Sequence, residues 1–344
     1  MDKKDFFPSE IRYDVISDDW VIIAKQRSKR PIIFEEEKQK ISPLECPFCQ
    51  IETQLPPLLV FSHGKETKEK KYPLKSDWTV VVIPNKYPAL LPGSKMGRKR
   101  EGKYFFKISG IGYCELVITR DHEKHLPDFT VPEIKEIFDV YQKRYSVLKK
   151  KKFVKNISIF HNYGKRAGAT QPHCHSQIIT TPLIDKEIKA GLLKAKDFWG
   201  KNKKCIYCEL QSWEIKEKER VVFENDDFVA ICPFASRNAF EVIISPKKHL
   251  SYFEKITEKE KEGLALVFSK IFQALSEVLG RNFHYNFYLK TAPCDGKDYS
   301  FFHWHWTIFP RLQMIAGFEL GTRMDVCTIS PEEAAQKLRE KIKK

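Results

Sequence analysis

The segment Gly168-Ala-Thr-Gln-Pro-His-Cys-His-Ser-Gln177 concentrates residues that can move a phosphoryl-linked group. His173 and His175 are two apart, so on an extended strand they project from one face with Gln177 next along it, while Cys174 points to the other side. A neutral imidazole attacks phosphorus, and the resulting phospho-imidazole is reactive enough to pass the group on, which suits nucleotidyl transfer. One ring nitrogen must be free to attack, so the other should donate a hydrogen bond that fixes the tautomer. With His173 tied to a metal, the strand is pinned and His175 is held in place before substrate arrives, as a near-attack geometry requires. Gln177 can donate its amide N–H to a non-bridging phosphate oxygen as charge develops. Gly164 and Gly168 allow a tight loop whose backbone N–H groups face a phosphate. His175 is thus the expected nucleophile and Gln177 its partner.

The metal expected behind His173 has a ligand set in the sequence. Cys46-Pro-Phe-Cys49, His122 and His173 supply two thiolates and two imidazoles, which close a tetrahedral zinc shell and leave no open position. Cys205-Ile-Tyr-Cys208, His249 and His303 repeat the set in the same order. The spacings agree: 173 to 303 and 175 to 305 are each 130 residues, and 122 to 249 is 127. The Cys pairs are 159 apart, so the first half carries extra residues, and the Lys- and Glu-rich stretch from Ser62 to Lys75 reads as a loop within them. Two structural zinc sites are expected, with His125 a lesser alternative to His122. Cys114, Cys174, Cys232, Cys294 and Cys327 have no paired spacing and are expected to be buried or inert. The second copy has Thr307 where the first has Gln177 and lacks the glycine-rich approach, so it reads as structural. His305 is left to a dimer interface or to the lining of a second site.

The elements that must carry these residues also repeat. Thr130-Val-Pro-Glu133 and Thr257-Glu-Lys-Glu260 are capping boxes. Each opens a helix with one apolar face, Ile134 to Leu148 and Leu264 to Leu279, the second stopping at Gly280. Strand-like runs, Cys114 to Thr119 and Phe240 to Ser245, precede them, and a final helix is capped by Ser330-Pro-Glu-Glu333. Each half reads strand, strand, helix, strand, which implies a mostly antiparallel sheet with packed helices.

Composition bounds the remaining classes. The 344 residues suffice for two domains, and a formal charge of +15 favours phosphate-bearing partners or a Lys-rich, heat-adapted surface. No basic run interleaved with aromatics stands out as a nucleic-acid groove. No apolar run is long enough to span a bilayer, and the N-terminus lacks a signal-peptide layout, so a cytoplasmic protein with reduced cysteines is expected, without a membrane partner.

The segment around His175 resembles the active-site strand of the galactose-1-phosphate uridylyltransferases, a two-domain branch of the histidine triad superfamily, and the resemblance spans nearly the whole chain. It implies an α+β fold of two histidine-triad-like domains related by an internal repeat, 1–195 catalytic and 196–344 C-terminal, and a homodimer of the family type. Trp20 to Pro31 is similar to a phosphate- and nucleotide-contacting segment, Asn85-Lys-Tyr-Pro-Ala89 to a nucleotide-binding one, and Arg120-Asp-His122 to the zinc histidine segment. By this resemblance Arg27, Arg30, Asn85, Asn162, Gly168 and Thr170 handle nucleotide and phosphates. Gly317 to Thr322 is similar to a C-terminal strand whose Glu319 reads the hexose. Each has a plainer reading: Arg27 and Arg30 as surface charges, Asn85 as a turn initiator, Glu319 as an exposed strand residue. The implied reaction uses a nucleotide sugar and a hexose 1-phosphate: UDP-glucose uridylylates His175, and galactose 1-phosphate collects the group. The Cys205/Cys208 pair departs from the carboxylate-and-histidine iron site of well-known bacterial members, where Lys290 stands near a missing histidine. It looks instead like the ADP-glucose phosphorylase branch, leaving uridine or adenosine open. A different class, a catalytically inactive zinc-stabilised protein that binds nucleotide or nucleic acid, is the remaining alternative.

Overall fold

Apolar residues at period two, punctuated by turns, form the strands, and capped amphipathic stretches form the helices. The computed structural model describes residues 9–29 and 41–342. In chain order the strands are β1 (Glu10–Tyr13), β2 (Trp20–Ile23), β3 (Leu59–Ser62), β4 (Lys65–Glu66), β5 (Val80–Pro84), β6 (Arg98–Glu101), β7 (Phe105–Ile108), β8 (Cys114–Thr119), β9 (Asn156–Tyr163), β10 (His175–Thr181), β11 (Val221–Glu224), β12 (Phe228–Ile231), β13 (Val242–Pro246), β14 (Tyr285–Lys290), β15 (His305–Pro310) and β16 (Asp325–Cys327). The α-helices are α1 (Val131–Leu148), α2 (Lys186–Asn202), α3 (Ile206–Glu217), α4 (Glu258–Leu279), α5 (Gly317–Thr322) and α6 (Pro331–Lys341).

Eleven strands form one sheet in the order β11-β12-β13-β15-β14-β9-β10-β8-β5-β3-β4, and every neighbouring pair in it is antiparallel. The internal repeat is visible in this order. Outward from the β9–β14 seam, where Asn162 faces Asn286, the first half runs β9, β10, β8, β5, β3 and the second runs β14, β15, β13, β12, β11. Thr130 and Thr257 accept from Glu133 and Glu260 N–H as the capping boxes require, and Ser330 accepts from Glu333 N–H to start α6.

Helices α1 and α4 cover one face of the sheet across the seam. Their apolar stripes, including Phe138, Tyr141, Phe268 and Phe272, meet Phe287 and Trp306 from the strands, and all six are fully buried. At about 1.5–3 kcal/mol per large apolar side chain, this shared core fuses the halves into one packed body. Among the described residues the opposite face is covered at its two ends. The loop carrying Cys46 and Phe48 packs on Val81, Ile83, Leu116 and Ile118. In the second half Ile188 and Leu192 of α2 pack with Ala292, Tyr299 and Phe302.

Several details differ from the sequence reading. Strand β2 pairs in parallel with β16, and Arg12 on β1 bonds Glu332 on α6, so the first strands sit with the C-terminal half. The expected division at residue 195 falls inside α2. The Ser62–Lys75 stretch is a loop apart from β4, which hydrogen-bonds to β3. Gly317 to Thr322 is the helix α5, not a strand: Glu319 accepts the Ala316 N–H at 3.1 Å and closes a helical first turn. A basic run with aromatics does exist. Strands β6 and β7 form a separate two-stranded ribbon in which Arg98 lies over Phe106 and Lys103 over Tyr104, with Tyr104, Phe105 and Phe106 exposed. Among the described residues no helix is long and apolar enough to cross a membrane.

Candidate active site and metal centres

Two groups of four residues can each hold a metal ion: Cys46, Cys49, His122 and His173, and Cys205, Cys208, His249 and His303, with the ligand atoms of each group within 4.8 Å of one another. In the first, Nδ1 of His173 lies 3.4 Å from Cys46 Sγ and 3.5 Å from Cys49 Sγ, and Nδ1 of His122 lies 3.2 Å from Cys49 Sγ. Metal–ligand bonds of about 2.0–2.3 Å around a tetrahedral ion put nitrogen and sulfur about 3.5 Å apart, so these are the edges of such a tetrahedron. The far nitrogens are committed elsewhere: His173 Nε2 donates to Thr119 O at 2.6 Å and His122 Nε2 to Ile41 O at 3.0 Å. A carbonyl only accepts, so Nε2 carries the proton and Nδ1 presents its lone pair to the ion. The second group repeats this. Nδ1 of His249 and His303 lies 3.4 and 3.3 Å from Cys208 Sγ, while their Nε2 atoms donate to Ser300 O and Pro246 O. His125 belongs to neither group. It is buried and stacked on Tyr163 with ring centroids 4.2 Å apart.

Both strands begin at the second histidine of their pair, so His175 opens β10 and the ligand His173 lies just before it. His175 Nδ1 donates to His173 O at 2.9 Å, which leaves Nε2 with the free lone pair that an attacking imidazole needs. The candidate metal ligand His173 and the candidate nucleophile His175 are therefore linked by one backbone hydrogen bond. Burial holds the His175 imidazole below its ordinary 6.5, partly offset by the His173 carbonyl, which favours the protonated ring. The other side of β10 is pinned as well: Ser176 Oγ lies 2.5 Å from Tyr141 OH on α1 and 3.0 Å from His161 Nδ1 on β9. Ser176 was missed in the sequence because its role depends on a helix and a strand distant along the chain. Cys174 is buried toward this same core, as the strand alternation requires.

Phe48 was also missed. Its ring packs 4.9 Å from the His175 ring. Tyr207, at the same position of the second Cys pair, packs 5.7 Å from His305. An aromatic in the third place of both Cys-x-x-Cys segments was the available signal. An aromatic contact contributes about 1 kcal/mol beyond its area. Phe48→Leu should therefore lower kcat about fivefold with metal content unchanged. An unaltered kcat would show that the ring does not orient His175.

The other expected site residues divide. Gln177 lies two along from His175, on the same face of β10, between Phe160 of β9 and Leu116 of β8. Asn162 on β9 accepts from Asn286 Nδ2 at 2.7 Å across the seam. Gly164 and Gly168 both have positive φ, 82° and 80°, and frame the loop before the histidines. A Cβ on Gly164 would lie 2.1 Å from the His284 ring, so that position requires glycine. Thr170 is exposed on the same loop. Asn85 Oδ1 accepts from Tyr87 N–H at 2.9 Å, the turn geometry of its plainer reading. Arg27 is exposed in the 3-10 helix Lys25–Lys29 that follows β2 of the small sheet, away from the sheet that carries His175. Glu319 caps its own short helix, and Arg30 lies outside the described residues.

Comparison with known proteins gives a consistent picture. The sequence profile described as galactose-1-phosphate uridyl transferase, N-terminal domain, matches residues 2–184, and its C-terminal counterpart matches residues 193–343. A galactose-1-phosphate uridylyltransferase of Thermotoga maritima is 31% identical over 339 residues, covering 96% of this chain and 98% of the relative. An ADP-glucose phosphorylase of Arabidopsis thaliana is 29% identical over 341 residues, covering 96% and 92%. The crystal structure of an Arabidopsis thaliana ADP-glucose phosphorylase with bound ADP-glucose superposes with a TM-score of 0.79 at 28% identity, covering 96% of this chain and 99% of that one. A solved uridylyltransferase structure gives 0.74 at 25% identity, covering 97% and 98%.

Proposed function

Since the chain belongs to the galactose-1-phosphate uridyl transferase family, we propose that it is a hexose-1-phosphate uridylyltransferase that carries the uridylyl group on His175. The carrying observation is the His175 tautomer, set by the Nδ1–His173 O hydrogen bond. Nε2 attacks the uridylyl phosphorus of UDP-glucose, a P–N bond forms, the P–O bond to glucose 1-phosphate breaks, and glucose 1-phosphate leaves. The ring becomes cationic in this step, and the His173 carbonyl stabilises its Nδ1–H. A phosphate oxygen of galactose 1-phosphate then attacks the same phosphorus, the P–N bond breaks, and UDP-galactose leaves with His175 neutral again. Gln177, Asn162, Thr170 and the Gly168 loop are the proposed phosphate contacts, with Arg27, Arg30, Asn85 and Glu319 assigned to nucleotide and hexose by the resemblance. Residues 1–195 carry the chemistry and 196–344 form the second unit. Because the attacking form is neutral and its titration lies low, uridylylation should be flat from pH 8 down to the ordinary imidazole value of 6.5 and fall only in more acid solution. An acid limb centred above 6.5 would contradict this assignment.

The donor set of each Cys2His2 group fits zinc: two thiolates, two imidazoles with fixed tautomers, and no open position. Zinc bound there supplies structural cross-linking, not Lewis acidity. None of the nine cysteines is in a disulfide, which fits a reducing cytoplasm.

A second reading, adenylyl transfer from ADP-glucose to phosphate, is favoured by the likeness to the structure with bound ADP-glucose. The two are separated by measuring glucose 1-phosphate released from UDP-glucose with galactose 1-phosphate, and from ADP-glucose with inorganic phosphate. Faster turnover of the first pair supports uridylyl transfer, and faster turnover of the second overturns it. A homodimer is also proposed. Met314, Ile315, Phe318 and Leu320 are exposed within seven residues, from 47% to 74%, an unusual apolar density for a free surface. Phe318→Glu combined with Leu320→Glu should halve the mass seen by analytical ultracentrifugation, and an unchanged mass would move the interface elsewhere.

A further inference from the structure

The second half of the chain reaches the His175 site through one side-chain amide. On β9 and β10 the register sets Gln177 against Phe160 and Ser176 against His161, and its continuation brings Asn162 across from His175. Asn162 in turn faces Asn286 of β14. Opposed residues of antiparallel strands share a face, so His175, Asn162 and Asn286 form one row across β10, β9 and β14.

Two acceptors determine how the Asn286 amide lies. Its Nδ2 is 2.9 Å from Ala167 O, and a carbonyl only accepts, so the NH2 end of Asn286 faces that oxygen. The same Nδ2 is 2.7 Å from Asn162 Oδ1. An amide nitrogen carries two hydrogens, one for each acceptor. Asn162 therefore gives its oxygen to Asn286, and the other end of its amide is a donor for an anionic oxygen. The last torsion of an asparagine is broadly two-fold, so without Asn286 the two ends of Asn162 could exchange places.

Ala167 belongs to the loop between Gly164 and Gly168 that leads to the histidines. Other residues of the second half hold this loop as well. Arg166 N–H donates to His284 Nδ1 at 3.2 Å, and Arg311 Nε donates to Arg166 O at 3.4 Å. The His284 ring closes on Gly164, where a Cβ would lie 2.1 Å away. Within the loop the backbone closes only on itself, with Ala167 and Ala169 N–H donating to Gly164 O. Its seat is thus built largely from β14 and the segment after β15.

We propose that Asn286 is a positioning residue for nucleotidyl transfer. It turns the donor end of Asn162 to the transferring phosphate and anchors the Gly164–Gly168 loop through Ala167 O. Asn286 itself touches no reacting atom. Its role rests on the reading of Asn162 as a phosphate contact, and it makes a site carried by the first half depend on the second.

The test compares wild type with Asn286→Ala, Asn286→Asp, Asn162→Ala and the double variant Asn162→Ala/Asn286→Ala. The readouts are kcat and KM with the donor and acceptor pair that wild type turns over, and amide hydrogen exchange of the peptide containing residues 164–168. Asn286→Ala should lower kcat about tenfold and change KM for the donor less than about threefold. Asn286→Asp keeps the size but offers only acceptors. Its carboxylate draws the Asn162 NH2 to itself and opposes Ala167 O, so kcat should fall at least as far as in Asn286→Ala. A role in packing alone predicts the reverse order. In the double variant, loss of Asn286 should cost less than about threefold beyond Asn162→Ala, because Asn286 acts chiefly through Asn162. Loop exchange should be faster in both Asn286 variants and unchanged in Asn162→Ala. A kcat within twofold of wild type in Asn286→Asp, a full tenfold further loss in the double variant, or wild-type loop exchange in Asn286→Ala would each overturn the assignment. Asn286→Ala introduces no charge and carries the test if the aspartate variant folds poorly. If wild type turns over neither UDP-glucose nor ADP-glucose, the proposed function fails, while loop exchange still decides this inference: faster exchange in Asn286→Ala supports the anchor and unchanged exchange overturns it.

Discussion

Replacing His175 by alanine is expected to lower nucleotide transfer by about 10⁴-fold or more, with both metal groups and the fold retained. The magnitude follows from the role. A residue that forms the covalent intermediate cannot be replaced by orientation alone, and single losses from a coupled catalytic unit remove nearly all of its effect. The alanine leaves the metal ligand His173 in place, together with its Nε2 bond to Thr119 O. On the far face Ser176 keeps Tyr141 and His161, so β10 stays where it is. The diagnostic comparison is exchange between UDP-glucose and labelled glucose 1-phosphate, a half-reaction that needs only the nucleophile. Exchange reduced less than about tenfold would remove His175 from that role.

The second large effect concerns the first metal group. Cys46→Ser should strip the metal from it, lower the melting temperature and abolish transfer together. A structural zinc site of this type contributes about 10–16 kcal/mol of apparent binding free energy, more than the usual net stability of a domain. On the proposed reading the loss reaches the chemistry by a short route: an ion bound there would fix the His173 ring, and the His173 carbonyl holds the His175 tautomer at 2.9 Å. Phe48, between the two thiols in sequence, loses its seat against His175 as well. Cys205→Ser removes the equivalent cross-link from the other half. It should lower the melting temperature by a similar amount but leave kcat of the folded fraction within about threefold, because nothing joins that ion to His175 through a single hydrogen bond. Metal content by atomic emission, thermal melts and initial rates on the three proteins check this. Equal losses of kcat in both variants would mean that the first group has no special part in orienting the nucleophile.

Much of this arrangement was legible in the chain because it is written twice. The order of Cys pair, histidine and His-x-His is preserved, and the shared spacing of 130 residues led directly to two four-ligand groups and to equivalent strands. The capping boxes at Thr130 and Thr257 are local hydrogen-bond patterns, so they could be read without tertiary information. What the sequence did not disclose depends on contacts between distant segments. The seam that joins the halves rests on β9 meeting β14, and neither strand announces its partner. Gly317 to Thr322 is a surface helix because Glu319 closes the turn on Ala316, a contact no apolar periodicity signals. The basic and aromatic residues Arg98 to Lys107 are contiguous in the chain, but their folding as a separate ribbon, with Arg98 over Phe106, depends on the β6–β7 pairing. Lys290 drew notice in the sequence only for the histidine it lacks, whereas its place opposite His305 depends on register.

The central claim is that a nucleotide resides on His175 during turnover. The direct measurement is the intact mass of the protein after brief incubation with UDP-glucose and quenching at neutral pH or above, where phospho-imidazole adducts survive, followed by mass mapping of the peptide that carries the adduct. The account predicts a mass gain equal to one uridylyl group, located on the peptide containing His175, absent from His175→Ala, and discharged by adding galactose 1-phosphate. An unmodified mass with either UDP-glucose or ADP-glucose, or a nucleotidyl group located on a residue other than His175, would contradict it.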